Sequence, residues 1–458
     1  MTIEINRIYI KNNSNQYILL FENHVSLGVT KIKASFVNNS AMGKLIYVLL
    51  DGVGDRPNPK LNYLTPLEAA NTPNLDKLAR EGMTGIVHPV GKGISPESDI
   101  AVFCMLGYDL SSNYFGRGIV ETIGVGMNFK NGDLALRANF ATLGDKGILI
   151  DRRAGRNLSQ REAKDLADSI QKIELSHNAS LEFVPTIAHR AVLKIETEDT
   201  KLSAEISNTD PAYDRIGGMG VTKETSGGLY LQKAKPLKEI EGARLAADLV
   251  NEFTNKAISI LKTHKVNIKR ERNGMKPANV LLLRDAGNTL PNITKIPDRF
   301  NTKFASILDM PVEKGVAKIT GMRDYEAGSI SDYHTKAKKT IELLQTYDSV
   351  YIHIKGPDEP GHDGDAERKT KVVEKIDSDF FCPLLQQVDK KNTMFLISAD
   401  HSTPCIVKGH SADPVPVLIS GHNIEHDNVC RFTEKEAANG KLGVMLGKDV
   451  LPKALSFL

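Results

Sequence analysis

A chain of 458 residues exceeds the roughly 250–300 that one hydrophobic core usually supports, so two domains are expected. Its 41% hydrophobic and 25% charged content excludes a fibrous or wholly disordered chain, and a net charge of +3 is too small to argue for a nucleic-acid partner. No apolar run approaches the roughly 20 residues that cross a bilayer, and the opening residues lack a signal-peptide apolar core, so a cytoplasmic protein without a membrane partner is expected. Cys104, Cys382, Cys405 and Cys430 lie far apart without CxxC spacing, which fits a reducing compartment rather than a disulfide framework or a cysteine zinc site.

Residues 1–41 are rich in Asn and weakly patterned, and Met42 is followed directly by the first strand. The pattern suggests a true start at Met42, with 1–41 an atypical, disordered extension; a β-hairpin over ENHVSLGVTKIKASFV, which alternates partly with period two, is the structured alternative. The run LIYVLL predicts a buried strand ending at Asp51. TPLEAANTPNLDKLAREGM then carries two helix starts. Thr65 and Glu68 have capping-box spacing with Pro66 at the first helical position, and Thr72-Pro73 repeats the signal before Gly82 stops the helix. A strand at 84–90 leads into GKGISPESDIAVFCMLGYDL, a glycine-rich loop entering an apolar helix.

From 115 to 300 the texture changes to glycine turns, short strands such as RAVLKIE, and helices at 158–173 and 240–263. Strand and helix alternation resumes with KFASILD, a helix at 334–346, YIHIK, a helix at 366–389, MFLISAD and VPVLISG. The simplest organisation is an α/β core made of 42–114 and 301–458, interrupted by an inserted domain at 115–300, since insertion is tolerated at exposed loop tips whose ends lie close.

Three apolar runs end in metal-type ligands: LIYVLL in Asp51, YIHIK in Asp358 and His362, MFLISA in Asp400 and His401, with His410 following in KGHSADPVP. In open α/β sheets the chemistry collects beyond the carboxyl ends of strands, and carboxylate oxygens with imidazole nitrogens suit hard or borderline divalent cations. Singly, each has a plainer reading. An Asp-Gly such as Asp51-Gly52 is more often a turn, His401 and His410 read as structural histidines, and His334, His353, His422 and His426 are taken as such. Three successive strand ends carrying ligands are hard to obtain by chance, and two cations about 3.5–4 Å apart clamp a phosphoryl group.

Ser98 in SPESD is the candidate nucleophile, because a helix N-terminus favours both an alkoxide and an incoming phosphate; its plainer reading is an N-cap, and Ser95 is its rival. The 115–300 region places guanidinium groups beside glycine turns: Arg152, Arg153 and Arg156 after Asp151, Arg190 after His189, then Arg215 and Arg284. Arginine grips carboxylate and phosphate bidentately, so the set suits a small phosphorylated acid, weighed against a salt-bridged surface.

DGVGDRP, PESD, GHDGD after GPDEP, SADHSTP and GHSADPVPVLI stand in the order found in the cofactor-independent phosphoglycerate mutases. From Met42 onward the chain resembles the archaeal-type branch of that family, within the alkaline phosphatase superfamily. The resemblance implies an α/β, alkaline-phosphatase-like, mostly parallel sheet with helices on both faces, interrupted by an inserted smaller α+β domain that binds substrate. It implies 2,3-bisphosphoglycerate-independent interconversion of 3-phosphoglycerate and 2-phosphoglycerate, an isomerase reaction of glycolysis and gluconeogenesis. The cofactors implied are two divalent metal ions, manganese, zinc, magnesium or cobalt, with no bisphosphoglycerate. One ion would take Asp51, Ser98, Asp400 and His401, and the other Asp358, His362 and His410. Ser98 would carry the phosphoryl group, Asp151 would act as acid and base, Lys314 would offset charge, and Arg152, Arg190, Arg284 and His88 would contact the substrate. A homo-oligomer is left open. Two features depart from the family: 1–41 has no counterpart, and Glu97 beside the nucleophile adds a negative charge without a role.

The rival readings are a related phosphotransferase or phosphatase on the same fold, homoserine-kinase-like or phosphopentomutase-like, and a non-catalytic metal-binding scaffold. A plain hydrolase needs no arginine clasp for a retained acid, and a relict site would have lost some of its ligands.

Overall fold

The computed structural model describes residues 6–11, 17–22, 35–36, 43–110, 115–198, 200–216, 219–222 and 228–458. Its largest sheet has eight strands, in the order Arg323–Tyr325, Phe304–Ile307, Ser349–Ile354, Lys44–Leu50, Thr393–Ser398, Val415–Ser420, Gly82–His88 and Gly443–Leu446. The three apolar runs that end in ligands are neighbours here. Lys44–Leu50 lies between Ser349–Ile354 and Thr393–Ser398, parallel to both, with Leu50 opposite Ile354 and Leu49 opposite Ser398. Their carboxyl ends therefore fall on one edge. Apart from Lys44, every residue of the three strands is buried, which is why they read as continuous apolar runs rather than alternating ones. Val415–Ser420 runs antiparallel to both of its neighbours, a reversal that its apolar run alone does not show.

A second sheet contains Leu134–Leu143, Leu149–Asp151, Ser180–Pro185, Arg190–Glu196 and Val280–Gly287, paired antiparallel. Its core, with Phe140, Leu166, Phe253 and Leu283, is separate from that of the large sheet and includes residues of helices Gln160–Ile170 and Glu241–Lys262. The fold is thus of the expected α/β type, with a mostly parallel main sheet and a smaller α+β part. Asn6–Lys11, Tyr17–Glu22 and Ser35–Phe36 form a three-stranded antiparallel sheet, and most of the hairpin expected over 22–37 lies outside the described residues.

Thr65 and Glu68 form the expected capping box on Pro66–Ala69. Gly82, expected to stop a helix, instead begins a strand that starts two residues earlier than expected; a Cβ there would meet Ser420 and the Ile419 carbonyl of the paired strand. The single helix expected at 366–389 is Ala366–Ile376, a π turn at Asp377–Phe381, and Cys382–Gln387. Pro383 has no N–H to offer the Asp379 carbonyl four residues back, so the helical ladder widens there.

Candidate metal and substrate site

The three central strands deliver their ligands to one edge. Asp51 follows Leu50, and its N–H donates to the Ile354 carbonyl at 3.0 Å, fixing the first turn beyond the sheet. Gly52 comes next at φ +60°, where a Cβ would strike Thr403 and Asp358, so both conformation and space call for glycine. Its N–H donates to Asp400 Oδ1 at 3.1 Å. Asp55 ties down the rest of the loop, pairing with fully buried Lys369 at 2.9 Å and accepting the Cys405 N–H at 3.1 Å.

Around these turns three groups of ligand atoms overlap, each within 4.8 Å: Asp358, His362 and His410; Asp51, Asp358 and His401; and Asp51, His353 and Asp400. His401 Nε2 lies 3.5 Å from Asp51 Oδ1 and 3.3 Å from Asp400 Oδ2. The Nε2 atoms of His362 and His410 lie 3.5 and 3.6 Å from the Asp358 carboxylate. The opposite ring nitrogens are engaged elsewhere. His362 Nδ1 faces the Lys408 carbonyl at 3.3 Å and His410 Nδ1 the Pro96 carbonyl at 2.8 Å. The Thr403 hydroxyl donates to Asp358 Oδ1 at 2.7 Å, so it accepts from His401 Nδ1 at 3.0 Å. A ring that donates from Nδ1 turns its Nε2 lone pair toward a cation.

Burial raises the pKa of Asp51 and puts Asp400 well above the usual carboxylate range, with the charge of Asp51 adding to the effect on Asp400. Burial also drives His401 well below the ordinary imidazole value, and His410 pushes it further. For His410, burial works downward, but the hydrogen bond and charge of Asp358 lift it to about 9. Asp358, against its burial, is held well below its usual range by His410, His401 and His362. Asp51 Oδ1 and Asp400 Oδ2 are buried without a hydrogen-bond partner. Such oxygens beside neutral imidazoles are costly, and a dication is the partner that suits both, so the residue set fits divalent metal.

Sequence reasoning set His353 aside as structural and passed over Glu313 and Lys355. The structure places all three behind the cluster. His353 is fully buried, with Nε2 3.5 Å from Asp400 Oδ2 and 3.8 Å from Asp51 Oδ1, Nδ1 3.5 Å from Glu313 Oε1, and neither nitrogen hydrogen-bonded. Lys355 Nζ lies 3.0 Å from Asp51 and 2.5 Å from Glu313. Burial lifts Glu313 to about 7 although Lys355 opposes it. The available signal was YIHIK itself: two basic side chains, two apart, in an otherwise apolar buried run. Lys314, on helix Pro311–Thr320, pairs with Glu326 at 3.3 Å and Asp324 at 4.0 Å.

Ser98 opens helix Ser98–Met105, and its Oγ lies 3.3 Å from His401 Nε2, whereas Ser95 is exposed in the preceding loop. His88 closes the strand Gly82–His88 on the same edge of the sheet, beside Leu446, and its Nδ1 is buried without a partner.

The arginines gather on the smaller sheet. Arg152 donates to Asp210 at 3.0 and 2.7 Å, Arg284 reaches the same carboxylate at 3.3 Å, and the two guanidiniums lie 5.0 and 4.0 Å from the Tyr213 ring centre. Arg190 has no carboxylate at ion-pair distance among the described residues; burial, then Arg137 and Arg117, push it down to about 10. Asp151 pairs with Lys276 at 2.6 Å and accepts the Arg153 N–H at 2.8 Å; despite its burial these bonds hold it below its usual value. Ala154, Arg156, Ala188 and Asp285 adopt positive φ, and such strain in non-glycine residues clusters at functional sites. The side chain of Arg215 lies outside the described residues.

A mostly parallel sheet that gathers carboxylates and imidazoles beside a serine at a helix N-terminus defines an α/β enzyme of the phosphotransfer class. The comparisons narrow this. Residues 79–267 match the family model described as 2,3-bisphosphoglycerate-independent phosphoglycerate mutase. The enzyme of that name from Aeropyrum pernix is 42% identical, over 91% of this chain and 99% of its own. A solved protein from Pyrococcus horikoshii aligns with TM-score 0.75 at 34% identity, covering 91% of this chain and 97% of that one. The cofactor-independent phosphoglycerate mutase from Thermoplasma acidophilum aligns with TM-score 0.62 at 32% identity, covering 91% and 99%. The chain belongs to the 2,3-bisphosphoglycerate-independent phosphoglycerate mutase family, and its enzyme class is that of an isomerase.

Proposed function

We propose that the chain interconverts 3-phosphoglycerate and 2-phosphoglycerate through a phosphoserine on Ser98. The observation that carries this reading is the position of Ser98 Oγ at the start of a helix, 3.3 Å from His401 Nε2, which itself lies 3.5 and 3.3 Å from the unpartnered oxygens of Asp51 and Asp400. Asp51, Ser98, Asp400 and His401 would hold one divalent ion and Asp358, His362 and His410 a second, with manganese, zinc, magnesium or cobalt all compatible with O and N donors. Bound there, the ions would lower the pKa of the serine hydroxyl and offset charge on the phosphoryl oxygens.

Ser98 Oγ forms a bond to phosphorus as the bond from phosphorus to the 3-oxygen of the substrate breaks. The proton that the serine hydroxyl gives up ends on that oxygen, and glycerate stays in place. Arg152, Arg190 and Arg284 would hold the glycerate carboxylate, Arg190 having no carboxylate at ion-pair distance among the described residues. Asp151 stands as a carboxylate, the form that accepts the proton of the 2-hydroxyl as this oxygen attacks the phosphoserine. The phosphoryl group then passes to the 2-oxygen and the serine is restored, with no bisphosphoglycerate. His88 would line the approach. Either Lys314 or Lys355 could neutralise the transferring group, and the contact of Lys355 with Asp51 favours the latter.

The free state of Cys104, Cys382, Cys405 and Cys430, and the lack among described residues of a helix long and apolar enough to cross a membrane, support a cytoplasmic setting. Trapping the phosphoenzyme tests the reading: wild type quenched in acid after exposure to 3-phosphoglycerate should carry one phosphoryl group on the peptide with Ser98. A peptide that is never phosphorylated under turnover contradicts it.

A further inference from the structure

Glu97, the residue beside the nucleophile that family resemblance leaves without a role, begins a chain of alternating charges. Its Oε2 pairs with Arg117 at 2.8 Å; Arg117 pairs with Glu121 at 2.9 Å; Glu121 with Arg137 at 3.0 Å; and Arg137 with Asp285 at 3.1 Å. Asp285 then meets Arg284 at 3.3 Å, Arg284 meets Asp210 at 3.3 Å, and Asp210 meets Arg152 at 2.7 Å. Every member between Arg117 and Arg284 has a side chain at most 14% exposed, while the ends, Glu97 and Arg152, are 42% and 23% exposed. The chain runs from the nucleophile's neighbour to the arginines that would grip the substrate acid.

A buried ionic chain is a poor way to gain stability, because desolvation of each charge offsets much of its pairing energy and apolar replacements are often as stable. What it does provide is defined geometry over a long span. The backbone supports that use. Arg117 starts helix Arg117–Gly124, in which a Cβ at Gly118 would strike the carbonyls of Ala135 and Asp285, so this end is pressed against the smaller sheet. At its other end a Cβ on Gly124 would meet Pro311, and one on Gly315 would meet Val120, so the helix is equally pressed against Pro311–Thr320, which carries Glu313 to Lys355 and Asp51. Asp285 holds its place in the chain from a strand bulge at φ +57°.

We propose that Glu97 is a positioning residue, and that the ion-pair chain from Glu97 to Arg152 couples the grip on the substrate acid to the orientation of Ser98. This rests on the mutase reading above. Glu97 pairs with Arg117 and is not one of the clustered metal-type residues; its charge also reaches His410, which is why metal content is read beside turnover. The functional consequence is that the serine is aligned when an acid occupies the arginines, which favours return of the phosphoryl group to the bound glycerate over loss to water.

The test is a double-mutant cycle between the two ends, Glu97→Gln and Arg152→Lys, read as kcat/KM for 3-phosphoglycerate conversion together with bound-metal stoichiometry and melting temperature. Residues that share no partner and lie far apart normally give additive effects. We expect each single variant to lose about 10-fold and the double variant to lose less than about 30-fold, rather than the 100-fold product, with metal content unchanged. The loss in Glu97→Gln should fall on kcat more than on KM, and Glu97→Asp should recover part of it. A double variant at the product of the singles, or a Glu97→Gln enzyme with wild-type kcat, overturns the proposal. If Arg152→Lys does not fold, Arg137→Lys takes its place in the cycle with the same expectations. A wild type that makes no 2-phosphoglycerate refutes the mutase reading instead, which separates the two failures.

Discussion

The Lys355 ammonium lies 3.0 Å from the Asp51 carboxylate and 2.5 Å from Glu313, so a fixed positive charge stands directly behind a residue proposed to hold metal. Removing one partner of such a buried pair typically costs about 3–5 kcal/mol, because the remaining charges lose their compensation. Lys355→Met is therefore expected to lower stability by that order and kcat/KM by about 100-fold or more. Adding Glu313→Gln should restore part of the stability, since one unpaired carboxylate is then gone. Denaturant unfolding of the single and double variants checks this; equal stability of Lys355→Met and wild type would refute it.

Arg152 holds Asp210 through Nε and Nη2 and would grip the substrate carboxylate from its other edge. Arg152→Ala should cut mutase kcat/KM by about 1,000-fold, the scale of a lost charge-assisted bidentate contact. Transfer from a phosphate ester without a carboxylate should change by less than about 10-fold, measured in parallel with p-nitrophenyl phosphate. Unimpaired conversion of 3-phosphoglycerate would show that the acid is held elsewhere.

The buried oxygens Asp51 Oδ1 and Asp400 Oδ2 have no hydrogen-bond partner, so bound metal should stabilise the folded chain. Removing metal with a chelator is expected to abolish turnover and lower the melting temperature, and each ion present at 1,000 times its Kd adds about 4 kcal/mol. Readdition of manganese should restore both, with two ions bound per chain by elemental analysis. A melting temperature indifferent to chelator and manganese contradicts the site.

Glu434 accepts the Asp55 N–H at 3.1 Å and the Thr65 hydroxyl at 2.8 Å, and burial raises its pKa from the ordinary 4.5 to about 7. A carboxyl whose folded pKa is raised favours folding below its unfolded value, and that contribution is lost as pH rises toward the folded value. Between pH 5 and 7.5 the wild type should thus lose on the order of 1 kcal/mol relative to Glu434→Gln. Parallel denaturant titrations at several pH values measure it, and identical pH slopes for the two proteins would exclude the effect.

Much of the candidate metal site was legible because its carboxylates and imidazoles follow strands buried on both faces, whose continuous apolar runs mark where the chain must leave the sheet. Asp51, Asp358, Asp400 and His401 could be found that way, and Ser98 by its place at a helix start. His353 and Lys355 were hidden inside such a run, and Glu313 inside a helix, where a polar residue reads as exposed until its neighbours are known. The reversal of Val415–Ser420 was out of reach because an apolar run has no direction. The links from Glu97 to Arg152 join residues up to 148 positions apart, and pairing at that range is a property of the folded chain alone.

The most direct test of the central claim is to incubate the purified protein with 3-phosphoglycerate and manganese, without bisphosphoglycerate, and follow 2-phosphoglycerate through coupled enolase. The account predicts 2-phosphoglycerate in wild type and none in Ser98→Ala. Wild-type protein that releases inorganic phosphate in place of 2-phosphoglycerate, or a Ser98→Ala variant that still converts the substrate, would contradict it.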